Sequence, residues 1–149
     1  MIINKKSTLM SSKSKFRVTF RVIHPSMTSR CIEAQINLVS KLSQSVGEPK
    51  ESKGGKQLGG VYRKSHVSFP LHEKPIDFDS SDIEPLIINA ITKFDIEFVR
   101  SISSSGGECY FSLGIYSEEN ASFSFSPDLL KQLADINTWV KFDFYGGED

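Results

Sequence analysis

The sequence predicts an α+β fold: a mostly antiparallel sheet with about three helices packed on one face. Several segments alternate apolar and polar residues with the period of two of a strand buried on one side. Others place apolar residues at helical spacing behind capping residues, and the turns between strands are short and rich in Ser and Gly. Strands and helices joined in this way, mostly by hairpins and long non-parallel connections, make helices against one face of an antiparallel sheet.

The first strand is predicted from Phe16, Val18, Phe20 and Val22, which alternate with Arg17, Thr19 and Arg21 until His24-Pro25-Ser26 ends it. Between Ser29 and Val46, Ile32, Ile36, Val39, Leu42 and Val46 recur at helical steps and predict the first helix. The stretch from Gly47 to Gly60 has five glycines and five charges and predicts a long mobile loop or open hairpin. The run GGVYRKSHVSFPL, residues 59–71, predicts one strand with His66 on its outward side.

Caps among Asp77 to Asp82 precede Leu86, Ile87, Ala90, Ile91 and Phe94, the stripe of a second helix. Pro85 belongs only in a first turn, so this helix starts at Asp82 or later. Ile96 to Ile102 predicts a strand and Ser103 to Gly107 a turn. A hairpin is expected next, Phe111, Leu113 and Ile115 on one strand and Ala121, Phe123 and Phe125 on its return, turning at Ser117 to Asn120. Ser126-Pro127-Asp128 opens the third helix with a capping hydroxyl, a proline at the first position and an early acid, and Leu129, Leu130 and Leu133 pack it. Trp139 to Tyr145 alternates once more before Gly146-Gly147.

The boundaries expected are a poorly ordered basic arm over residues 1–14 and a single domain over 15–147. The 149 residues carry 18 basic and 18 acidic side chains, with no net charge, but unevenly: seven basic and no acidic residues stand in the first 32. The remainder holds 11 basic against 18 acidic, a balance of −7. Cys31 and Cys109 form neither a disulfide framework nor a metal quartet, which fits thiols kept reduced in a cytosol. No signal-peptide core and no run near the ~20 apolar residues of a spanning helix is present, so a cytoplasmic protein without membrane contact is expected.

The motifs that carry chemistry are weak. Gly54-Gly55-Lys56-Gln57 lacks the upstream glycine, the following hydroxyl and the strand-to-helix setting of a phosphate loop. His24, His66 and His72 share no short spacing with one another or with the cysteines, so no metal site, cofactor or catalytic set is expected. In Phe16 to Arg21 the aromatic and basic side chains point to opposite faces of a strand, which argues against base stacking beside phosphate contacts.

The segments Phe123 to Ala134 (FSFSPDLLKQLA) and Val140 to Tyr145 (VKFDFY), with FRVTFRVIHPSM from Phe16 and the loop entering GGVYRKSHVSFPL, resemble the bacterial family catalogued as domain of unknown function 4279. The resemblance spans Phe16 to Tyr145. It departs from the family pattern where the first helix lacks a leucine-glycine-proline ending and where Tyr62 stands in place of a common tryptophan. The resemblance implies a small stand-alone cytosolic protein of the kind that acts as an immunity protein against a polymorphic toxin, with no catalytic residues to carry over.

The function expected is therefore a non-catalytic binding protein that neutralises a cognate toxin by covering it. The partner-binding residues expected are loop-presented acids: Asp77, Asp79 and Asp82 before the second helix, and Glu118 and Glu119 at the hairpin tip. Toxins acting on nucleic acids or nucleotides often have basic clefts, and displayed carboxylates speed encounter with such a cleft. Two alternatives come from other classes. One is an enzyme or small-ligand site under the glycine-rich loop 47–60, beside His66 and Cys31; the other is weak nucleic-acid binding through the basic arm.

Overall fold

Strand β1 (Ser14–His24) runs through the middle of the molecule and shows why the alternation was legible: Phe16, Val18, Phe20 and Val22 are fully buried on one side. The computed structural model describes residues 14–78 and 82–146. The expected basic arm lies outside the described residues except for Ser14, which opens β1, and the domain end expected at Gly147 lies outside them too.

The chain is α+β with a mostly antiparallel sheet. After β1 come α1 (Ser29–Gln35), β2 (Leu42–Gln44), β3 (Pro49–Glu51), β4 (Gln57–Val61), β5 (Ser65–Pro70) and β6 (Ile76–Asp77). Then follow α2 (Ile83–Lys93), α3 (Ile96–Ser104), β7 (Glu108–Ser117), α4 (Pro127–Asp135) and β8 (Trp139–Tyr145). The main sheet has the order β2-β5-β1-β7-β8, with β6 also paired to β1, while β3 and β4 form a separate hairpin. Strand β1 is antiparallel to β5, β6 and β7, and β8 alone among these ladders is parallel to its neighbour, β7.

Cross-strand rows build the core. Phe20 faces Phe69 of β5 and Phe111 of β7, and Val22 faces Val67 and Cys109. Ile87, Ala90, Ile91 and Phe94 from α2, Val99 and Ile102 from α3, Leu129 and Leu133 from α4, and Ile32 from α1 join the same buried cluster. Gly107 lets α3 turn into β7 against β1, because a Cβ there would meet the Ile23 carbonyl oxygen at 2.7 Å and the His24 ring at 2.5 Å.

Four expectations are corrected. There are four helices among the described residues, not three, because residues 96–104 are helix rather than strand. Asp95 caps this helix by accepting from the Phe98 N–H at 3.2 Å, and Val99 and Ile102, three apart, are its buried pair. The first helix stops at Gln35 instead of reaching Val46; Asn37 leaves it to donate to the Lys93 carbonyl at 3.2 Å, and Leu42–Gln44 adds to β5 as a strand. Val39, expected on the buried stripe, is 86% exposed. Residues 59–71 divide into the end of β4 and the whole of β5. Residues 121–126 form no return strand; β7 is instead paired by β8, which α4 brings back in parallel.

His24 and His72 hold loops against this sheet in their neutral form. His24 Nδ1 accepts from the backbone N–H groups of Ser26 (3.0 Å) and Met27 (2.8 Å), and its Nε2 lies 2.8 Å from Ser105 Oγ. His72 Nε2 accepts from the Val18 N–H at 3.0 Å while its Nδ1–H donates to the Lys74 carbonyl at 2.7 Å. Burial lowers the pKa of His24. Burial and then the Arg21 charge lower that of His66; for His72 burial outweighs the opposing Lys74 hydrogen bond, and the Arg17 charge adds to the lowering.

Folded values below the ordinary 6.5 mean that the unfolded chain takes up protons first as the pH falls. The stability held by the neutral rings is then complete above about 6.5 and is lost as the pH falls through the folded values. The urea unfolding midpoint should accordingly drop between about pH 7.5 and pH 5.5, a window above most carboxylate titrations. A midpoint that rises or stays flat over this window would contradict the neutral assignment.

Candidate functional site

An open groove of about 1120 Å³ lies between α2 and the irregular segment that follows β7. One wall is the face of α2 bearing Pro85, Ile88, Asn89 and Thr92, spaced three, four and seven residues apart and turned away from the buried stripe of Ile87, Ala90, Ile91 and Phe94. The other wall runs from Glu119 to Ser124, with Ser126 beyond it. Ser14, Phe78 and Phe123 complete the lining.

Strand register brings these distant pieces together. Ser14 opens β1 and Ser117 closes β7, the two residues are opposed in the ladder, and their hydroxyl oxygens lie 2.7 Å apart. Ser117 Oγ also accepts from the Glu119 N–H at 3.2 Å and donates to the Glu119 carbonyl, which pins the chain just beyond the strand. Glu119 is thereby held at the groove that α2 enters through Asp82.

Glu84 ties the walls together. Its Oε1 accepts from the Ser126 N–H at 2.6 Å and its Oε2 from the Ser126 hydroxyl at 2.7 Å. The same hydroxyl caps α4 by accepting from the Leu129 N–H at 3.2 Å. A carboxylate at the first turn of a helix is also favoured by the helix dipole, so Glu84 anchors α4 as well as lining the groove.

Of the five expected acids, Asp82 and Glu119 line this groove, and Glu118 is exposed beside it. Asp77 does not line it: it stands opposite Lys15 in the β1–β6 ladder, with Lys15 Nζ and Asp77 Oδ1 3.8 Å apart. Asp79 lies outside the described residues. Among the described residues the lining contains Asp82, Glu84 and Glu119 and no Lys or Arg, so these residues give it an acidic character. Asn89, Thr92 and Asn120 supply neutral hydrogen-bonding groups that were not singled out from the sequence. The signal for the first two was available as the polar side of the α2 stripe.

The glycine-rich segment forms the β3–β4 hairpin, whose strand residues are all exposed. A second, open concavity of about 650 Å³ holds Arg17, Lys41 and His72, and neither concavity is lined by residues 47–60. Cys31 is an exposed free thiol and Cys109 a buried one, whose pKa burial raises. Among the described residues no group of three His, Cys, Asp or Glu side chains is placed to hold a metal ion, and no helix is long and apolar enough to cross a membrane. No family model, curated protein or solved structure matches this chain.

Proposed function

We infer that the chain is a non-catalytic cytosolic binding protein that neutralises a bacterial toxin by occluding it, and that the acidic groove receives a basic segment of that toxin. The observation that carries this is the gathering of Asp82, Glu84 and Glu119 around an open groove whose described lining holds no Lys or Arg. Carboxylates fixed on such a rim raise the rate of encounter with a cationic surface, and their register selects among partners more than it adds raw affinity. The walls suit this role, because α2 is a regular helix with a buried face and Glu84 fastens the opposite wall to it. Occlusion needs a complementary surface of about 800 Å² per partner and no chemistry.

The test is capture of the product of the adjacent reading frame by the purified chain, together with growth of cells that express that product with and without it. Complex formation and rescued growth are expected. Neither binding nor protection would overturn the reading.

A further inference from the structure

Strand β8 is the last strand of the main sheet, and its outer edge has no strand neighbour among the described residues. It also carries a concentration of exposed aromatic surface: Trp139 is 62% exposed, Phe142 43%, Phe144 71% and Tyr145 49%. An open edge of this kind is a ready template for another strand, and proteins that do not use such an edge blunt it. We propose that β8 pairs with β8 of a second copy of this chain, antiparallel about a two-fold axis at Phe142, so that two sheets become one.

The occupant follows from the sequence of the strand, WVKFDFY, which is self-complementary about its centre. In an antiparallel pair centred on Phe142, Lys141 of each copy stands opposite Asp143 of the other. Trp139 stands opposite Tyr145, Val140 opposite Phe144, and Phe142 opposite itself. All seven residues of the strand are then matched, charge to opposite charge and apolar to apolar. Centring the pair on Lys141 would oppose the two Lys141 side chains, and centring it on Asp143 would oppose the two Asp143 side chains. A slip of one residue would turn one sheet over and join its wet face to the core face of the other. One register out of these neighbours is favoured, which is the mark of a specified interface rather than of a generally adhesive edge.

The charges are placed for it. Lys141 lies across its own sheet, 4.1 Å from the centre of the Tyr110 ring and 3.1 Å from Glu108 Oε1, instead of guarding the edge. Asp143 makes no ion pair among the described residues. In the paired form each Lys141 would sit between Glu108 of its own chain and Asp143 of the second copy. The apolar side is prepared as well: Phe142 and Phe144 stack at 6.2 Å, and Phe123 and Phe125 pack on Phe142 at 5.9 and 6.4 Å. The four exposed aromatics offer on the order of 450 Å² per copy, more than half of the ~800 Å² that a standard interface removes from each partner.

The test is sedimentation equilibrium of the purified chain from micromolar to roughly hundred-micromolar concentration, with Lys141→Asp and Asp143→Lys as separate variants. The wild type should reach twice the chain mass. Each single variant opposes like charges twice and should weaken association at least about tenfold. Mixing the two single variants should restore a dimer, since every Asp then meets a Lys, and the mixing also shows that both variants remain folded. A wild type that stays monomeric would overturn the proposal. So would a dimer indifferent to the single variants, or a mixture that fails to recover while each variant keeps the wild-type circular dichroism spectrum; these outcomes would assign the aromatic edge to a different protein or the dimer to another face. The experiment involves no toxin and no groove residue, so it stands or falls separately from the function proposed above.

Discussion

Replacing Phe20 by alanine should lower the free energy of unfolding by about 3–5 kcal/mol, the range for removing a large aromatic from a packed core. Phe20 is fully buried at the centre of β1, and its ring centre lies 4.6 Å from that of Phe94, 5.0 Å from Phe111 and 6.3 Å from Phe69. These neighbours come from α2's C-terminus, β7 and β5, so the vacated space is walled by three separately anchored pieces and cannot close by moving one of them. Domains of this size are stable by only about 5–15 kcal/mol, so a loss of that order removes a large share of the total. Urea unfolding would show a much lower midpoint with little change in slope. Phe20→Leu, which keeps most of the volume, should cost less than about 1.5 kcal/mol. A loss under about 1.5 kcal/mol for the alanine variant would mean that the three elements do not converge on this ring.

That core was legible because the large apolar residues of β1, Phe16, Val18, Phe20 and Val22, all fall on one face, so its pattern has the strand period written into consecutive residues. The starts of α2 and α4 were equally local signals: Asp82 stands at the N-cap position before Ile83 and Pro85 falls in the first turn, while Ser126 caps with Pro127 behind it. Helix α3 was missed because nine residues rich in Ile, Val and Phe satisfy both periods; Ile96, Val99 and Ile102 are three apart, and the cap at Asp95 was the clue that decided between them. The partner of β7 was missed for another reason. Ala121, Phe123 and Phe125 alternate as a return strand would, but Phe123 and Phe125 pack on Phe142 of β8 instead of extending the ladder. Which alternating segment joins a sheet is settled by competition between distant segments, and no local pattern contains that outcome.

The candidate site divides along the same line. Asp82 and Glu119 were recognisable as acids presented by turns, whereas their approach depends on Ser14 standing opposite Ser117, a matter of register. Asp77 looked equivalent to Asp82 in sequence, yet the short ladder of β6 turns it toward Lys15. Glu84 is not among the five acids expected from the sequence. Its structural weight comes from Ser126, which is 42 residues away in the chain.

The acids of the groove rim give the second large effect. If the proposed toxin is the partner, the triple variant Asp82→Asn, Glu118→Lys, Glu119→Lys should slow association with it by about 10-fold or more at low ionic strength, within the range that electrostatic steering contributes. Asp82 makes no side-chain capping bond in the structure and asparagine is as good an N-cap as aspartate, so α2 should start where it does now. Glu118 and Glu119 are exposed, and the bonds holding Glu119 to Ser117 use its backbone, which the substitution keeps. Exposed changes of this kind usually move stability by only about 0.5 kcal/mol, so the melting temperature should stay within a few degrees of the wild type. Glu84 is left untouched, because removing it would disturb the cap of α4 and confuse loss of charge with loss of structure. Stopped-flow association at a series of salt concentrations separates the cases: steering by the rim predicts that the wild-type rate falls with salt toward that of the variant, since charges at the surface are screened beyond about 8–10 Å at physiological ionic strength. Equal rates for the two proteins at low salt would place the toxin on another face, and the wet side of the sheet around Arg17, Arg21 and Lys141 would be the surface to alter next.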